Sequence, residues 1–393
     1  MRRVLPIIVI SQFFCTSVWF ATNAIMPDII RQFDLAPEWL AHLTSAVQGG
    51  FIAGTLVFAI LRVADRFSPS RVFFACSIIA AVSNLAISFD GVGHVGLIAF
   101  RFLTGFFLAG IYPVGMKIAS DYYQQGLGKS FGFLVGALVL GTAFPHLLKS
   151  MATGWPWKYV VYCISSLALI GGLAIFLLIP DGPFRKPGQK VHWLGFLQGF
   201  RNKKFRAASF GYFGHMWELY TFWAFIPVIL ETYKSHYTDV HFNTSLVSFF
   251  VIASGGVSCA LGGIISQWLG TKRTATIALA TSCCCCLLSP LILLNPSLPL
   301  LIVFLFIWGM SVTADSPLFS SLNAQYAPPE IRGAAMTIVI SIGFAITIVS
   351  MQLLNALINA GNARYIYMLL AFGPILGLIA LFKSEDRSRK TED

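Results

Sequence analysis

The sequence predicts an all-α membrane protein with twelve transmembrane helices in two six-helix, pseudo-symmetric bundles. Its 393 residues are 56% hydrophobic and only 11% charged, and its mean hydropathy is +0.75. A soluble domain has about 25% charged residues, so this composition excludes an ordinary soluble fold. A spanning helix needs about 20 apolar residues. The chain holds enough such stretches for twelve spans, and its second half repeats landmarks of the first.

One long polar connector divides the apolar stretches into two sets of six. We predict an amino-terminal six-helix bundle over residues 1–180 and a cytoplasmic central loop over 181–206. Residues 207–393 are predicted to form a carboxy-terminal six-helix bundle with a short cytoplasmic tail. The loop segment VHWLGFLQGF is mildly amphipathic and is expected to lie along the membrane surface. The predicted spans are 4–27, 38–61, 71–89, 95–117, 130–149, 158–180, 207–230, 243–266, 274–293, 298–322, 334–358 and 364–382.

The basic residues are concentrated in alternate connectors. With the amino terminus inside, 21 of the 27 Lys and Arg residues fall in inner segments, five fall in outer segments, and Arg101 lies within a span. Cytoplasmic loops carry the excess of Lys and Arg. We therefore predict a multi-pass protein of the inner (plasma) membrane, surrounded by lipid bilayer, with both termini in the cytoplasm. The net charge of +11 reflects this topology, so no nucleic-acid partner is predicted.

The eight cysteines lie inside apolar segments, and four of them are consecutive at Cys283–Cys286. Their spacing does not match the patterns of metal ligands. A buried cysteine behaves as a small hydrophobic residue. The sequence therefore predicts neither a metal site nor a cofactor.

The two halves match at three landmarks with slowly growing offsets. Pro27 pairs with Pro227, Arg71 pairs with Arg273, and Pro113 pairs with Pro317. Small loop insertions in a duplicated unit would produce such growth. Paired repeats in a polytopic protein are typical of transporters whose halves move around a site near the middle of the membrane.

The connector between the second and third spans reads LRVADRFSPSR, and the fourth span contains RFLTG. The first resembles the signature loop of the major facilitator superfamily, matched by Asp65, Arg66 and Arg71, and the second, which lies within the fourth span at residues 101–105, is similar to another motif of that family. The chain therefore resembles a bacterial-type transporter of this superfamily, with no subfamily identified. The resemblance implies the family's fold, no enzymatic activity, and a monomer.

The resemblance also implies a cytoplasmic gate formed by Asp65, Arg66 and Arg71. An acid at a helix end that faces Arg residues can form charge-assisted hydrogen bonds. The alternative is that these three residues are only topology charges.

Four residues are candidates for proton coupling: Glu218, His215, Asp315 and Arg101. Ionisable residues within a membrane span are costly and usually face a protein interior or a watery cavity. Glu218 and His215 are one helical turn apart and so can touch each other, or they can lie against a neighbouring helix. The alternatives are structural hydrogen bonds for the acids and a snorkelling side chain for Arg101.

The substrate-binding candidates begin with a polar stripe on the first span. Gln12, Thr16, Trp19 and Asn23 recur at steps of four, three and four, which indicates one face of a helix. The alternative is hydrogen bonding between helices. The other candidates are Arg101, Tyr112, Tyr212, Trp223, Trp308, Ser311 and Asp315.

These features predict a secondary active transporter that moves a small polar or ionisable solute by alternating access, coupled to protons as in symport. The alternatives are a proton-independent uniporter or exchanger and a multidrug-type efflux carrier. A membrane-embedded enzyme is a remote alternative, because the chain contains no HExxH motif. The identity of the substrate, the direction of transport and the driving ion stay open.

Overall fold

The computed structural model describes residues 3–123, 127–152, 154–185, 199–328 and 332–389. Within these ranges the chain is helical and forms no strand. The helices are α1 (Val4–Thr16), α2 (Ala21–Ala24), α3 (Met26–Phe33), α4 (Trp39–Leu61), α5 (Val63–Arg66), α6 (Pro69–Ala86), α7 (His94–Leu108), α8 (Tyr112–Tyr122), α9 (Leu127–Met151), α10 (Lys158–Leu178), α11 (Lys203–His236), α12 (Thr244–Leu269), α13 (Thr271–Leu293), α14 (Leu298–Ala314), α15 (Ser316–Tyr326), α16 (Arg332–Leu357) and α17 (Phe372–Arg389). A 3-10 helix over Ile366–Ala371 precedes α17.

The chain separates into two compact units. Unit 1 comprises Met1–Lys190 with Asn243–Gly256, and unit 2 comprises Val191–Phe242 with Val257–Asp393. The boundary differs from the predicted one at α12, whose first part belongs to unit 1. Residues 186–198, which include half of the predicted central loop and most of its amphipathic segment, lie outside the described residues.

Ten helical segments of the described chain are long and apolar enough to cross a membrane. The two predicted spans that are missing from this set are the first and the seventh. The first is divided into the short helices α1 to α3. The seventh is the 34-residue α11, whose His, Glu, Tyr and Trp side chains make it less apolar. With these two included, the chain has the predicted twelve-span, all-α membrane fold.

The first span differs from its prediction, because it is not one helix over 4–27. After α1 ends at Thr16, the chain forms turns, with the amide of Trp19 donating to Thr16 and that of Asn23 donating to Phe20. Local side-chain bonds favour this break, since the hydroxyls of Thr16 and Ser17 donate to backbone carbonyls one turn earlier. Pro27 then lies in the first turn of α3, where its missing N–H costs nothing.

The fourth and tenth spans show the same interruption. Each consists of two helices, α7 with α8 and α14 with α15, and a proline lies in the first turn of the second helix. The two spans run from His94 to Tyr122 and from Leu298 to Tyr326, and each is 29 residues long. The start and the end of the tenth span therefore follow those of the fourth span by the same number of residues that separates Pro317 from Pro113. The internal repeat extends to the breaks within the helices.

Glycines allow α4 and α7 to pack backbone against backbone. A Cβ on Gly105 would overlap the carbonyl group of Val47, and one on Gly50 would overlap the carbonyl of Phe102. Such close approach through small residues is a common way for membrane helices to associate. Gly105 of the RFLTG motif therefore has a packing role.

Replacing Gly105 with Ala is expected to destabilise unit 1, because the added methyl group would force α4 and α7 apart. Overpacking of this kind costs about 1–3 kcal/mol. Thermal unfolding of the purified protein in detergent should show a lower Tm for Gly105→Ala. The control is Gly132→Ala on α9, where a Cβ would meet no atom within 4 Å among the described residues. Equal Tm values for the two variants would contradict the packing role.

Candidate functional site

Glu218 is the centre of a buried hydrogen-bond cluster in unit 2. Its carboxylate on α11 is fully buried. The indole Nε1 of Trp308 donates to Oε1 at 2.6 Å, and the thiol of Cys286 donates to the same oxygen at 3.2 Å. The hydroxyl of Ser282 donates to Oε2 at 2.9 Å. Ser282 and Cys286 are four residues apart on α13 and so share one face of that helix. The cluster therefore links three helices, α11, α13 and α14.

Trp308 is held in place by aromatic neighbours. Its ring centroid lies 4.5 Å from that of Phe222 on α11 and 5.5 Å from that of Phe304 on α14. Its side chain is fully buried, and its single polar group is the N–H that bonds Glu218. We predicted Trp308 as a substrate contact, but its N–H binds Glu218 in this structure.

His215 and Asp315 form a second buried pair in unit 2. The Nδ1 atom of His215 lies 2.8 Å from Oδ1 of Asp315, and both side chains are fully buried. Asp315 is the residue between α14 and α15, so its carboxylate lies at the amino-terminal end of α15. That end carries a partial positive charge, which favours a carboxylate.

The contact that their spacing allows between His215 and Glu218 is replaced by contacts to other helices. His215 is paired with Asp315, and Glu218 is bonded to α13 and α14. The neighbouring helices supply stronger partners, because Asp315 is an acid and Trp308 and Ser282 are donors. The two acids still interact electrostatically. The structure thus brings Glu218, His215 and Asp315 into one buried region.

Arg101 occupies the break in the first span of unit 1. Its side chain is fully buried on α7. One terminal nitrogen donates to the carbonyl of Val18 at 3.0 Å and to Oδ1 of Asn84 at 3.1 Å, and the other donates to the carbonyl of Trp19. Asn84 in turn donates to the hydroxyl of Ser165 at 3.0 Å. The alternative of a snorkelling Arg101 is wrong, because the side chain is held inside unit 1 by carbonyls that the helix break frees.

The polar stripe of the first span is buried but does not form one helical face. Gln12 and Thr16 lie on α1, whereas Trp19 lies in the turn and Asn23 follows on α2. Asn23 donates to the hydroxyl of Thr44 on α4 at 3.0 Å. The amide of Gln12 packs against Gly115 of α8, where a Cβ would overlap its oxygen. The expected regular spacing fails because the helix stops at Thr16.

The other substrate candidates lie apart from these clusters or bond within them. Tyr112 is half-buried at the start of α8. Tyr212 is buried against Gly343 of α16, and Trp223 packs on the ring of Tyr220 at 5.3 Å. The hydroxyl of Ser311 donates to the carbonyl of Trp308 at 3.1 Å. Substrate contact by these residues stays a prediction.

In the predicted gate loop, Asp65 forms an ion pair with Lys117, a residue that was not among the predicted gate residues. Asp65 lies 3.3 Å from Nζ of Lys117 on α8, which also lies 3.5 Å from Asp121. Arg66 and Arg71 are exposed, and neither forms an ion pair within the part of the chain that the structure describes. The gate assignment itself stays a prediction.

Asp181 and Arg185, which follow the sixth span, also form hydrogen bonds with the predicted gate loop. Arg185 donates to the carbonyls of Asp65 and Phe67 and pairs with Asp181 at 2.6 Å. Asp181 accepts from the hydroxyl of Ser68 at 2.6 Å. Asp181 and Arg185 lie four residues apart in a segment that is not helical, so their spacing in the sequence did not indicate this pair.

The model of the Major Facilitator Superfamily matches residues 8–310 and 208–393 of the chain. One relative is the "Probable sulfoacetate transporter SauU" of Cupriavidus necator, which is 26% identical over 55% of this chain and 54% of its own length. The chain thus matches about half of that protein. The gentisate transporter of Corynebacterium glutamicum is 23% identical over 85% of this chain and 78% of its own length.

The solved structure of the human organic anion transporter MFSD10 (TETRAN) has the same fold. The TM-score is 0.75 at 14% sequence identity, and the match covers 97% of this chain and 99% of that chain. The fold and the matched relatives are those of transporters and not of enzymes.

The bond between Trp308 and Glu218 is expected to stabilise unit 2 measurably. Trp308→Phe keeps the ring but removes the N–H, so the carboxyl group loses a buried donor. In a double-mutant cycle with Glu218→Leu, which removes both carboxyl oxygens, the coupling free energy of unfolding is expected to be about 1–3 kcal/mol. Thermal or denaturant unfolding in detergent measures it. Trp268→Phe at an exposed position of α12 is the control. Equal losses from Trp308→Phe in both backgrounds would contradict the assignment.

Proposed function

The chain belongs to the Major Facilitator Superfamily, and we propose that it is a secondary active transporter of a small organic anion. It moves this solute across the inner (plasma) membrane by alternating access, together with protons. Both termini lie in the cytoplasm, as the distribution of Lys and Arg indicates, and the working unit is a monomer. Two groups of residues support the proposal, Arg101 in unit 1 and the acids of unit 2.

The proposal of an anionic substrate rests on the burial and the hydrogen-bond partners of Arg101. Among the described residues, Arg101 is the only Lys or Arg that is buried. Its hydrogen bonds go to two carbonyls and one amide oxygen, and no described carboxylate forms an ion pair with it. These bonds use three of its five N–H donors and leave the buried Nε without a partner among the described residues, and they do not neutralise its charge. A buried charge is costly unless it is paired.

A carboxylate or sulfonate on the substrate would supply the missing countercharge. Sulfoacetate and gentisate, the solutes in the names of the two relatives, both carry such a group. An anion of this class is therefore the substrate that the buried guanidinium favours. A planar guanidinium also matches the geometry of these groups better than an ammonium does.

The acids of unit 2 support proton coupling. Glu218 and Asp315 are fully buried, and no Lys or Arg of the described chain pairs with either of them. A buried carboxyl group without a cation is easily neutralised by a proton. Carrying a proton with the anion reduces the net charge that crosses the membrane. Proton-independent exchange and multidrug efflux would need neither the acids nor Arg101 in these roles.

Uptake into proteoliposomes tests both parts of the proposal. We expect labelled sulfoacetate or gentisate to enter several-fold faster when the outside is acidic than when no pH gradient is applied. Glu218→Gln should remove this response, because an amide cannot exchange a proton. The control is Glu231→Gln on the same helix, where the side chain is exposed and pairs with Lys234. Arg101→Gln should raise KM for the anion at least tenfold, compared with Arg31→Gln at an exposed position.

The two parts can fail separately. Anion uptake that ignores the pH gradient in the wild-type protein would overturn proton coupling and leave the anion assignment intact. Uptake of cationic or neutral solutes, with no anion transported across a panel of carboxylates and sulfonates, would overturn the substrate class.

A further inference from the structure

We propose that Ser282 is the positioning residue that allows Glu218 to bind and release a proton inside unit 2 without losing a hydrogen bond. This inference rests on the proposed role of Glu218 in proton coupling. It assigns the proton to one oxygen of the carboxyl group and a switching role to one hydroxyl. Neither assignment follows from membership of the family.

The first step is to exclude Oε1 as the site of the proton. This oxygen accepts from the indole N–H of Trp308 at 2.6 Å and from the thiol of Cys286 at 3.2 Å. An indole N–H can donate a hydrogen bond but cannot accept one. A proton on Oε1 would therefore compete with two donors, and the proton belongs on Oε2.

The second step concerns Ser282, which is the single hydrogen-bond partner of Oε2 among the described residues. The Ser282 hydroxyl lies 2.9 Å from Oε2 and 3.1 Å from the carbonyl oxygen of Leu279 on its own helix. Both oxygens are acceptors when Glu218 is charged. A hydroxyl has one hydrogen to donate and two lone pairs that accept. Ser282 can donate to only one of the two oxygens at a time.

The hydroxyl can therefore follow the charge of Glu218 by turning about its Cβ–Oγ bond. When Glu218 is charged, the hydroxyl donates to Oε2. When a proton is added to Oε2, the new O–H donates to the oxygen of Ser282, and the Ser282 hydrogen turns to the carbonyl of Leu279. Ser282 keeps its own hydrogen throughout, and no heavy atom has to move. Three hydrogen bonds serve the charged form and four serve the protonated form, counting the bond to Leu279.

Other titratable groups surround the site and share its electrostatics. Asp315, at the junction of α14 and α15, acts on Glu218 through space and is itself paired with His215 of α11. The thiols of Cys283, Cys285 and Cys286 on α13 also interact with Glu218 electrostatically. Among the described residues, Ser282 differs from these groups because it bonds Oε2 directly without carrying a charge.

Infrared difference spectroscopy of the full-length protein in lipid nanodiscs tests the inference. The carboxylic C=O band that Glu218→Gln removes reports the protonated form of Glu218, and its amplitude can be followed against pH. Ser282→Ala is expected to move the midpoint of this titration to higher pH by about one unit. A bond to a charged group is roughly twice as strong as one between neutral groups, so the charged form loses more.

Matched variants separate this role from a merely structural one. Ser289→Ala removes a hydroxyl that is also fully buried on α13 but donates to the carbonyl of Cys286 at 2.7 Å, so its midpoint should stay at the wild-type value. Ser282→Thr keeps the hydroxyl and should also stay at the wild-type value. If Ser282→Ala does not fold, Ser282→Cys takes its place with a smaller shift in the same direction, because a thiol is a weak donor and acceptor.

The outcomes distinguish this inference from the proposed function. If Glu218→Gln removes no carboxylic band, Glu218 does not exchange a proton, and the proton-coupling proposal fails together with the role of Ser282. If the band exists but Ser282→Ala titrates at the same midpoint as Ser289→Ala, only the role of Ser282 is overturned.

Discussion

The buried carboxyl group of Glu218 is the constraint around which unit 2 is arranged. A charge inside a membrane protein must be paired, hydrogen-bonded or neutralised. Here no cation is paired with it in the described chain, so donors from two neighbouring helices fulfil the requirement. One of these donors, Trp308, packs its ring against Phe222 and Phe304. The aromatic packing of α11 and α14 is thus coupled to the electrostatics of one side chain.

Unit 1 meets a related requirement with the opposite charge. Arg101 of the fourth span donates to the carbonyl of Val18 in the first span, and Trp308 of the tenth span donates to Glu218 in the seventh. Val18 and Glu218 are as far apart in the sequence as Pro27 and Pro227, so they occupy equivalent positions in the two halves of the repeat. In each half, therefore, a donor from the fourth helix of the repeat meets an acceptor at an equivalent position of the first helix of the repeat. The acceptor residue is Val18 in unit 1 and Glu218 in unit 2. In unit 1 the acceptor is a backbone oxygen that a helix break frees, and in unit 2 it is a side chain on an unbroken helix.

Much of the fold could be predicted from the sequence, because hydropathy and proline positions reflect long-range physical constraints. The twelve spans follow from the length and polarity of the segments, and the breaks in the fourth and tenth spans occur next to Pro113 and Pro317. The break after Thr16 could not be predicted in this way, since it depends on local hydroxyl bonds and on Arg101, which lies far away in sequence.

The candidate site was predicted by residue type but not by pairing. Glu218, His215 and Asp315 were candidates because ionisable residues in a span are rare, and their functional role stays a prediction. Their partners depend on tertiary packing, and Ser282 and Cys286 lie in a stretch that resembles any apolar helix. The same limit applied at the predicted gate loop, where Asp65 pairs with Lys117 of a different helix. A charged residue indicates that a partner exists, whereas only the packed structure identifies it.

The central claim is that an organic anion and a proton cross together, and that Glu218 carries the proton. The most direct test records the internal pH of proteoliposomes with a trapped dye, starting with no pH gradient and adding the anion outside. The account predicts that the anion acidifies the interior with the wild-type protein and with Glu231→Gln, and does not with Glu218→Gln. Entry of the anion without any acidification by the wild-type protein would contradict it.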